Sequence, residues 1–209
     1  MIRALIYDLD NTVYPVKSIS EDLFADLFKL IDENTEGISQ NDINSAKEEV
    51  TRRPFQKIAD EYGFSEELKQ QATELLRTLT YNKPMEPYAD YIYVKSFQPD
   101  KFLVTTGFIK MQSSKVKMLG IAGDFKQVYI VDPDTTDKTK KDIFEGILQK
   151  YNYKTNEVLV IGDDPESEIS EAKKVGIKTV LYDPNKKYST TDADHIIVNH
   201  RELSQLLQL

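Results

Sequence analysis

Acidic side chains follow two short apolar stretches of this chain, at the points where those stretches end. Asp8 and Asp10 follow the N-terminal stretch, and Asp163 with Asp164 follow the stretch that ends at Ile161. Carboxylates brought together in this way can ligate a hard cation such as Mg²⁺, attack as nucleophiles or transfer protons. Because an isolated Asp after a strand is commonly a turn residue or helix cap, the chemical interpretation depends on the elements that position the set.

A hydroxyl pair and an ammonium group could complete such a site. Thr105 and Thr106 follow another apolar stretch, and Lys138 precedes a predicted helix. A hydroxyl and an ammonium suit the phosphoryl oxygens, on which negative charge shifts during phosphoryl transfer. Each of these residues could also be an ordinary surface or strand residue. Their joint placement at the ends of successive strands favours the chemical interpretation.

The positioning elements are short apolar runs that alternate with amphipathic helices. This pattern is typical of an α/β fold with a doubly wound parallel sheet, whose ligands bind at the carboxyl ends of the strands. The strands are predicted at 4–7, 102–104, 128–131, 158–161 and 179–182, with a sixth, edge strand at 195–198. The helices between them are predicted at 109–119, 140–151 and 166–175.

The interval between the first two strands breaks this rhythm. It has about ninety residues, whereas connections between a strand and a helix usually have roughly 2–6. Its apolar residues recur at helical spacing, with Ser20 and Ser65 as candidate helix caps. We therefore predict a helical domain at residues 15–83, inserted into a core made of residues 1–14 and 84–209. Residues 88–97 are predicted to form a helix that leads into the second strand.

Composition excludes several other functional classes. The 209 residues are 40% hydrophobic and carry a formal net charge of −8, which gives no electrostatic attraction for nucleic acid or an anionic membrane. Without Cys, disulfides and zinc–thiolate sites are ruled out, and two His residues near the C-terminus supply a Ser-His-Asp hydrolase poorly. No apolar run approaches the roughly 20 residues that span a bilayer. We expect a cytoplasmic protein.

Four stretches, in order, resemble the motifs of the haloacid dehalogenase (HAD) superfamily. The segment 8–15, DLDNTVYP, closely resembles the first motif, DxDx[TV], and 102–107 is similar to the second, an apolar strand that ends in Thr or Ser. Lys138 resembles the third-motif lysine, and residues 160–169 resemble the fourth motif, GDxxxxD. The resemblance covers nearly the whole chain. It implies a Rossmann-like HAD core, with the predicted insertion where the family places its helical C1 cap.

The resemblance also implies roles for the acidic residues. Asp8 corresponds to the nucleophile and a ligand of Mg²⁺. Asp10 corresponds to the general acid and base, and its backbone carbonyl to a second ligand. Asp163 corresponds to the third protein ligand, and either Glu168 or Asp164 supports the metal and its waters. Glu168 stands where the family pattern has Asp.

Three further residues correspond to the family's phosphate-binding groups. Thr105 and Lys138 would hold the phosphoryl group and the nucleophile, with Thr106 beside them. The lysine position has two rival candidates, Lys140 and Lys141, because Lys138 is followed by Thr rather than by the Pro that is frequent in the family.

The favoured function is hydrolysis of small phosphate monoesters with Mg²⁺, through an aspartyl-phosphate. Asp10 speaks against a haloalkanoate dehalogenase, which needs no acid to protonate a leaving alkoxide. The segment 10–15 is most similar to the nucleotidase-type branch, which acts on pyrimidine 5′-nucleotides. A phosphomutase stays open, because mutases share these motifs. A phospho-receiver module and an inactive binding domain are alternatives from other classes.

The insertion carries basic residues that could be surface charges or substrate contacts. These are Arg52, Arg53 and Lys57, and we favour the surface interpretation. Both connections of the insertion lie beside Asp8, which predicts that it covers the carboxyl ends of the strands. Such a cover would admit small phosphate esters and exclude phosphoproteins and nucleic acid.

Overall fold

The computed structural model describes residues 1–207 and is organised around a parallel β-sheet. Its six strands have the spatial order β3-β2-β1-β4-β5-β6, and every neighbouring pair is parallel. This confirms the predicted doubly wound α/β fold, including the sixth strand at the edge. The strands are β1 Ala4–Tyr7, β2 Asp100–Thr106, β3 Gln127–Val131, β4 Val158–Gly162, β5 Lys178–Tyr182 and β6 His195–Ile197.

Strand β1 lies in the centre of the sheet, between β2 and β4. Its four residues are buried, and successive side chains enter different apolar clusters, because side chains alternate between the two faces of a strand. Leu5 and Tyr7 belong to the larger cluster, and Ala4 and Ile6 to the smaller one. The strand order reverses between β1 and β4, so the carboxyl ends of these strands border the crevice where open α/β sheets bind ligands.

The helices of the core are close to those predicted, with one difference. The predicted helix at 166–175 is divided, because residues Pro165–Ile169 form a wider π-helical turn before a regular helix begins at Ser170. In the order of the chain, the core helices are α7 Ile109–Leu119, α8 Lys140–Tyr151, α9 Ser170–Val175 and α10 Leu203–Leu206. Short 3₁₀ turns lie at Ala122–Asp124, Thr155–Glu157 and His200–Glu202.

The long interval between β1 and β2 is helical, as predicted. Ser65 caps its helix, with Oγ accepting a hydrogen bond from the Leu68 N–H at 3.1 Å. Ser20 does not act as a cap: it is the first helical residue, and the helix expected after it is interrupted at Phe24. After a 3₁₀ turn at Val16–Ser18, the helices are α1 Ser20–Leu23, α2 Ala25–Glu33, α3 Gln40–Glu49, α4 Phe55–Glu61, α5 Glu66–Thr78 and α6 Tyr91–Ser96.

Hydrogen bonds tie the loop after β1 to distant parts of the chain. The Val13 carbonyl accepts a bond from the Tyr88 N–H at 2.9 Å, and the Thr12 carbonyl lies 3.0 Å from Nε2 of the buried His200. The exit of the helical interval and the C-terminal segment therefore both hold the loop that carries Asp10. Within residues 1–207, no helix combines the length and apolar character needed to cross a bilayer.

Candidate active site

Asp8 is the first residue after β1, and it is buried. Its N–H donates to the Ile161 carbonyl at 2.9 Å, which continues the pairing of β1 with β4 and fixes the start of the loop. Its Oδ1 lies 2.6 Å from Nζ of Lys140, the first residue of α8. Burial and the neighbouring Glu168 raise the pKa of Asp8, and the charge of Lys140 offsets this only in part.

The buried Lys140 ammonium also contacts a second carboxylate, so it bridges two acidic groups. Its Nζ donates to Oε2 of Glu168 at 2.8 Å. Burial alone would lower the pKa of Lys140, but the two carboxylates raise it above its ordinary value. Glu168 also accepts a bond from the Asp164 N–H at 2.9 Å, and its side chain lies against Gly162 closer than any Cβ at that position would permit. Gly162 is therefore needed for this arrangement.

Three carboxylates could share a cation at this point. Asp8, Asp163 and Glu168 each offer one oxygen, and these oxygens lie within 4.8 Å of one another. Burial and repulsion from Glu168 raise the pKa of Asp163 to about 7, although Arg52 acts against this shift. Such a cluster of hard oxygen donors carries more negative charge than Lys140 neutralises, so it fits Mg²⁺. Asp164 lies beside the cluster and caps the next turn, with Oδ1 accepting from the Glu166 N–H at 2.9 Å.

The lysine that contacts Asp8 is Lys140, two residues after the predicted Lys138. Lys138 is exposed, in the irregular segment before α8, and its N–H donates to Oγ1 of Thr136 at 3.1 Å. The helix begins only after Thr139, whose N–H and hydroxyl donate to the Asp142 carboxylate. Its first residue, the rival candidate Lys140, therefore reaches Asp8, and the choice of Lys138 is corrected to Lys140.

Asp10 is held by three donor side chains, none of them among the predicted site residues. Lys115 Nζ lies 2.9 and 3.2 Å from its two carboxylate oxygens, Gln112 Nε2 donates to Oδ2 at 2.9 Å, and the Tyr14 hydroxyl donates to Oδ1. Burial alone would raise the pKa of Asp10, but Lys115 and the hydrogen bonds lower it below its ordinary value. The loop turns at Asn11, whose φ of 56° lies in the left-handed region that Asn tolerates better than most residues.

Thr105 and Thr106 end strand β2 but differ in their surroundings. The buried Thr105 accepts a hydrogen bond from Gln112 Nε2 at 2.6 Å, so the same amide contacts both Thr105 and Asp10. Thr106 is exposed, and its carbonyl lies 3.2 Å from that amide nitrogen. The structure therefore brings the Thr105 hydroxyl and the Asp10 carboxylate to one end of the sheet through Gln112.

The sequence did contain a signal for the residues that hold Asp10. Met111, Val116 and Leu119 form the buried apolar face of α7, and the polar residues Gln112 and Lys115 are buried with them. A polar side chain on a buried helix face needs a hydrogen-bonding partner. Two such residues three positions apart, at the start of a helix that follows Thr105, indicate a polar partner at the end of the sheet.

One basic residue of the helical insertion reaches this site. Arg52 is exposed, as the surface interpretation predicts, but its Nη2 also donates to Oδ2 of Asp163 at 3.0 Å, so it pairs with a carboxylate of the core. A contact with substrate stays a prediction. Arg53 instead pairs with Glu49 and Glu61 of the insertion itself, and Lys57 is exposed.

Comparisons with known proteins match this chain to one family of hydrolases. A model of the haloacid dehalogenase-like hydrolase family matches residues 2–176. A glyceraldehyde 3-phosphate phosphatase from Methanopyrus kandleri is 25% identical over 194 residues, which are 86% of this chain and 83% of that protein. A phosphatase of the same name from Pyrococcus furiosus is 34% identical over 113 residues, and the match spans only 45% of its length and 51% of this chain. The pyrimidine 5′-nucleotidase PynA from Streptococcus pneumoniae is 27% identical over 95 residues, which are 45% of this chain and 40% of that protein.

Solved structures show the same fold. YfnB from Bacillus subtilis, solved bound to magnesium, aligns with a TM-score of 0.68 at 20% identity, covering 100% of this chain and 99% of that one. A HAD phosphatase from Thermococcus onnurineus aligns with a TM-score of 0.65 at 18% identity, covering 99% of this chain and 98% of that one. The likeness extends over the helical interval as well as the sheet.

The two lysines before and at the start of α8 give a direct test of the corrected register. Lys140→Met removes the ammonium beside Asp8 and should lower kcat/KM for a phosphate monoester by roughly 10²–10³. Lys138→Met removes the same charge from an exposed position and should stay within about twofold of the wild type. Steady-state kinetics of both variants measure this, and a large loss for Lys138→Met with none for Lys140→Met would reverse the correction.

A second lysine pair tests the ion pair beneath Asp10. Lys115→Met leaves the Asp10 carboxylate without its counter-ion and should lower the free energy of unfolding by about 2–3 kcal/mol, somewhat below the cost of breaking a fully buried pair. The expected loss is smaller than for a fully buried pair because the Asp10 side chain is 27% exposed. Lys117→Met, at an exposed position of the same helix, should change it by about 0.5 kcal/mol or less. Urea unfolding at pH 7 compares them, and equal stabilities would contradict this account of Lys115.

Proposed function

The chain belongs to the haloacid dehalogenase-like hydrolase family, and from that premise we propose that it is a Mg²⁺-dependent phosphatase of small phosphate monoesters. One observation carries the proposal: the buried Asp8 carboxylate, 2.6 Å from the Lys140 ammonium, shares a cluster with Asp163 and Glu168. The cluster joins a carboxylate that can attack phosphorus to groups that can hold a cation and a phosphoryl group.

In the first step, Asp8 is the nucleophile. One of its carboxylate oxygens attacks the phosphorus, the bond from phosphorus to the ester oxygen breaks, and an aspartyl-phosphate forms on Asp8. The electron pair of the broken bond goes to the departing alkoxide, which needs a proton. Asp10 lies two residues further along the same loop and is the proposed general acid. Lys115 keeps it ionised in the free protein, so it must take up the proton when the anionic ester binds beside it and raises its pKa.

In the second step, Asp10 acts as the base. Its carboxylate takes a proton from a water molecule as the water oxygen attacks phosphorus, which releases inorganic phosphate and regenerates Asp8. Lys115, Gln112 and Tyr14 orient this carboxylate. The leaving alkoxide of a phosphate ester needs an acid, whereas the halide of a haloalkanoate does not. The presence of Asp10 is therefore the reason to propose a phosphate ester as the substrate.

The phosphoryl oxygens need donors that can follow the shifting charge. Lys140 and the Thr105 hydroxyl are the proposed donors, since Lys140 contacts Asp8 and Thr105 lies at the end of the neighbouring strand. Thr106 lies beside them at the exposed edge of the site.

The proposed metal ligands are the carboxylates of Asp8 and Asp163 with the backbone carbonyl of Asp10. Glu168 and Asp164 lie next to this set and would orient the ligands and the water molecules of the ion. When bound, Mg²⁺ supplies positive charge that neutralises the cluster and polarises the phosphoryl group. YfnB, a solved structure of the same fold, is bound to magnesium, which supports the choice of this ion.

The relatives and the helical insertion support the proposed substrate class. The relatives described above are named for small phosphate esters, including a sugar phosphate and pyrimidine nucleotides. We propose that residues 15–83 act as a cap over a core of residues 1–14 and 84–209, because Arg52 of the insertion contacts Asp163 of the core. Such a cap favours small monoesters, and the nucleotidase-like activity stays a prediction within that class.

A conservative substitution of the nucleophile tests the proposal. Asp8→Asn keeps the shape of the side chain but cannot form the aspartyl-phosphate, so phosphate release from glycerol 3-phosphate should fall to background. Asp137→Asn makes the same change at an exposed position and should keep wild-type turnover.

Removal of Mg²⁺ by a chelator should stop turnover by the wild type, and added Mg²⁺ should restore it. The proposal is refuted if pure Asp8→Asn protein, with a native circular dichroism spectrum, still releases phosphate at a near-normal rate. It is also refuted if the wild type keeps full activity in excess chelator.

A further inference from the structure

A narrow pocket opens between the helical insertion and the loop that follows β5. It borders the proposed active site, because Asp163 forms part of its wall. Its other lining side chains are mainly polar or charged, and those that bear on the argument are Asn11, Arg52, Tyr88, Asn185, Lys187 and Tyr188. Asp163 also shares the carboxylate cluster with Asp8, so the pocket adjoins the place where the alcohol portion of an ester bound at Asp8 would lie.

Arg52 forms the insertion's side of the pocket. It lies three residues after the end of α3, and its N–H donates to the Glu49 carbonyl at 2.8 Å, which fixes the backbone. Its guanidinium contacts Asp163 through Nη2 only, and its side chain is 39% exposed. A divalent cation on Asp163 would compete with this contact and repel the guanidinium, since like charges at such separations interact strongly outside bulk water. The donors of Arg52 are then available to a bound ester.

The loop after β5 contributes a second cation. Lys187 lines the pocket and is exposed. Asp183 also lines it, but its two carboxylate oxygens accept the N–H groups of Lys187 and Tyr188 at 3.0 and 2.9 Å. These bonds hold the Asp183 carboxylate against the backbone of the loop, and Lys187 is the cation that this loop brings to the pocket.

We propose that Arg52 and Lys187 form a subsite for a negatively charged group on the leaving portion of the substrate, a carboxylate or a second phosphate. This rests on the proposed phosphatase function and predicts that, among small monoesters, those with a second anionic group are preferred. The guanidinium can bind a carboxylate or phosphate through two parallel hydrogen bonds, which an uncharged hydroxyl cannot match. Arg52 is thus a specificity-determining residue.

The test compares ligands that differ only in this group. 3-Phosphoglycerate and glycerol 3-phosphate share one carbon skeleton, with a carboxylate in the first where the second has a hydroxymethyl group. Wild-type kcat/KM should favour 3-phosphoglycerate, and Arg52→Gln should reduce that preference by about 10–100-fold, chiefly through KM. Arg52→Lys should retain part of the preference, and Lys187→Gln should lower it as well. Lys57→Gln, which removes an exposed charge from the same insertion, should leave it unchanged.

A binding measurement without turnover separates this inference from the proposed function. Calorimetry with the non-hydrolysable 2-hydroxy-4-phosphonobutanoate and 3,4-dihydroxybutylphosphonate, in the presence of Mg²⁺, should show the same preference in the wild type and its loss in Arg52→Gln. If neither ester is hydrolysed, the proposed function fails. If both esters are hydrolysed but the wild type shows no preference for the carboxylate, the subsite is refuted while the phosphatase function stands. The same conclusion follows if Arg52→Gln weakens the binding of both phosphonates equally, or of neither.

Discussion

Buried carboxylates must be neutralised, and this constraint shapes the end of the sheet. Asp8 and Glu168 lie within 2.6 and 2.8 Å of one buried ammonium, that of Lys140. Removing two anions and a cation from water costs several kcal/mol for each ion, and only close contact among them offsets that cost. The negative charge that Lys140 leaves unbalanced on Asp8, Asp163 and Glu168 is what makes this cluster suited to a divalent cation.

The same constraint is met a second time, on the other side of the loop after β1. Asp10 is paired with the buried Lys115, and Gln112 joins it to Thr105. The two lysines come from α8 and α7, the helices that precede β4 and follow β2, the two neighbours of β1. The doubly wound fold therefore brings both lysines to the loop after β1, where Asp8 pairs with one and Asp10 with the other. We propose that this separation lets Asp8 act as nucleophile and Asp10 as acid and base.

The sequence predicted the strands well, because each contains a short apolar run that is followed by a polar or charged residue. It was less informative where side-chain direction matters. Lys138 and Lys140 are equally charged, and only the helix start at Lys140, after the pairing of Thr139 with Asp142, decides which of them points at Asp8. Contacts between distant segments, such as that of Arg52 with Asp163, depend on how the insertion packs against the core, which no local pattern encodes.

The most direct test of the central claim is to locate the covalent intermediate. Protein quenched during turnover of a phosphate monoester and reduced with borohydride should contain homoserine in place of Asp8, because the reagent reduces an acyl phosphate but not a free carboxylate. Peptide mass spectrometry identifies the modified position, and protein quenched without substrate is the control. The account predicts reduction at Asp8, in substrate-treated protein only. Reduction at Asp10 or Asp163 instead would contradict it.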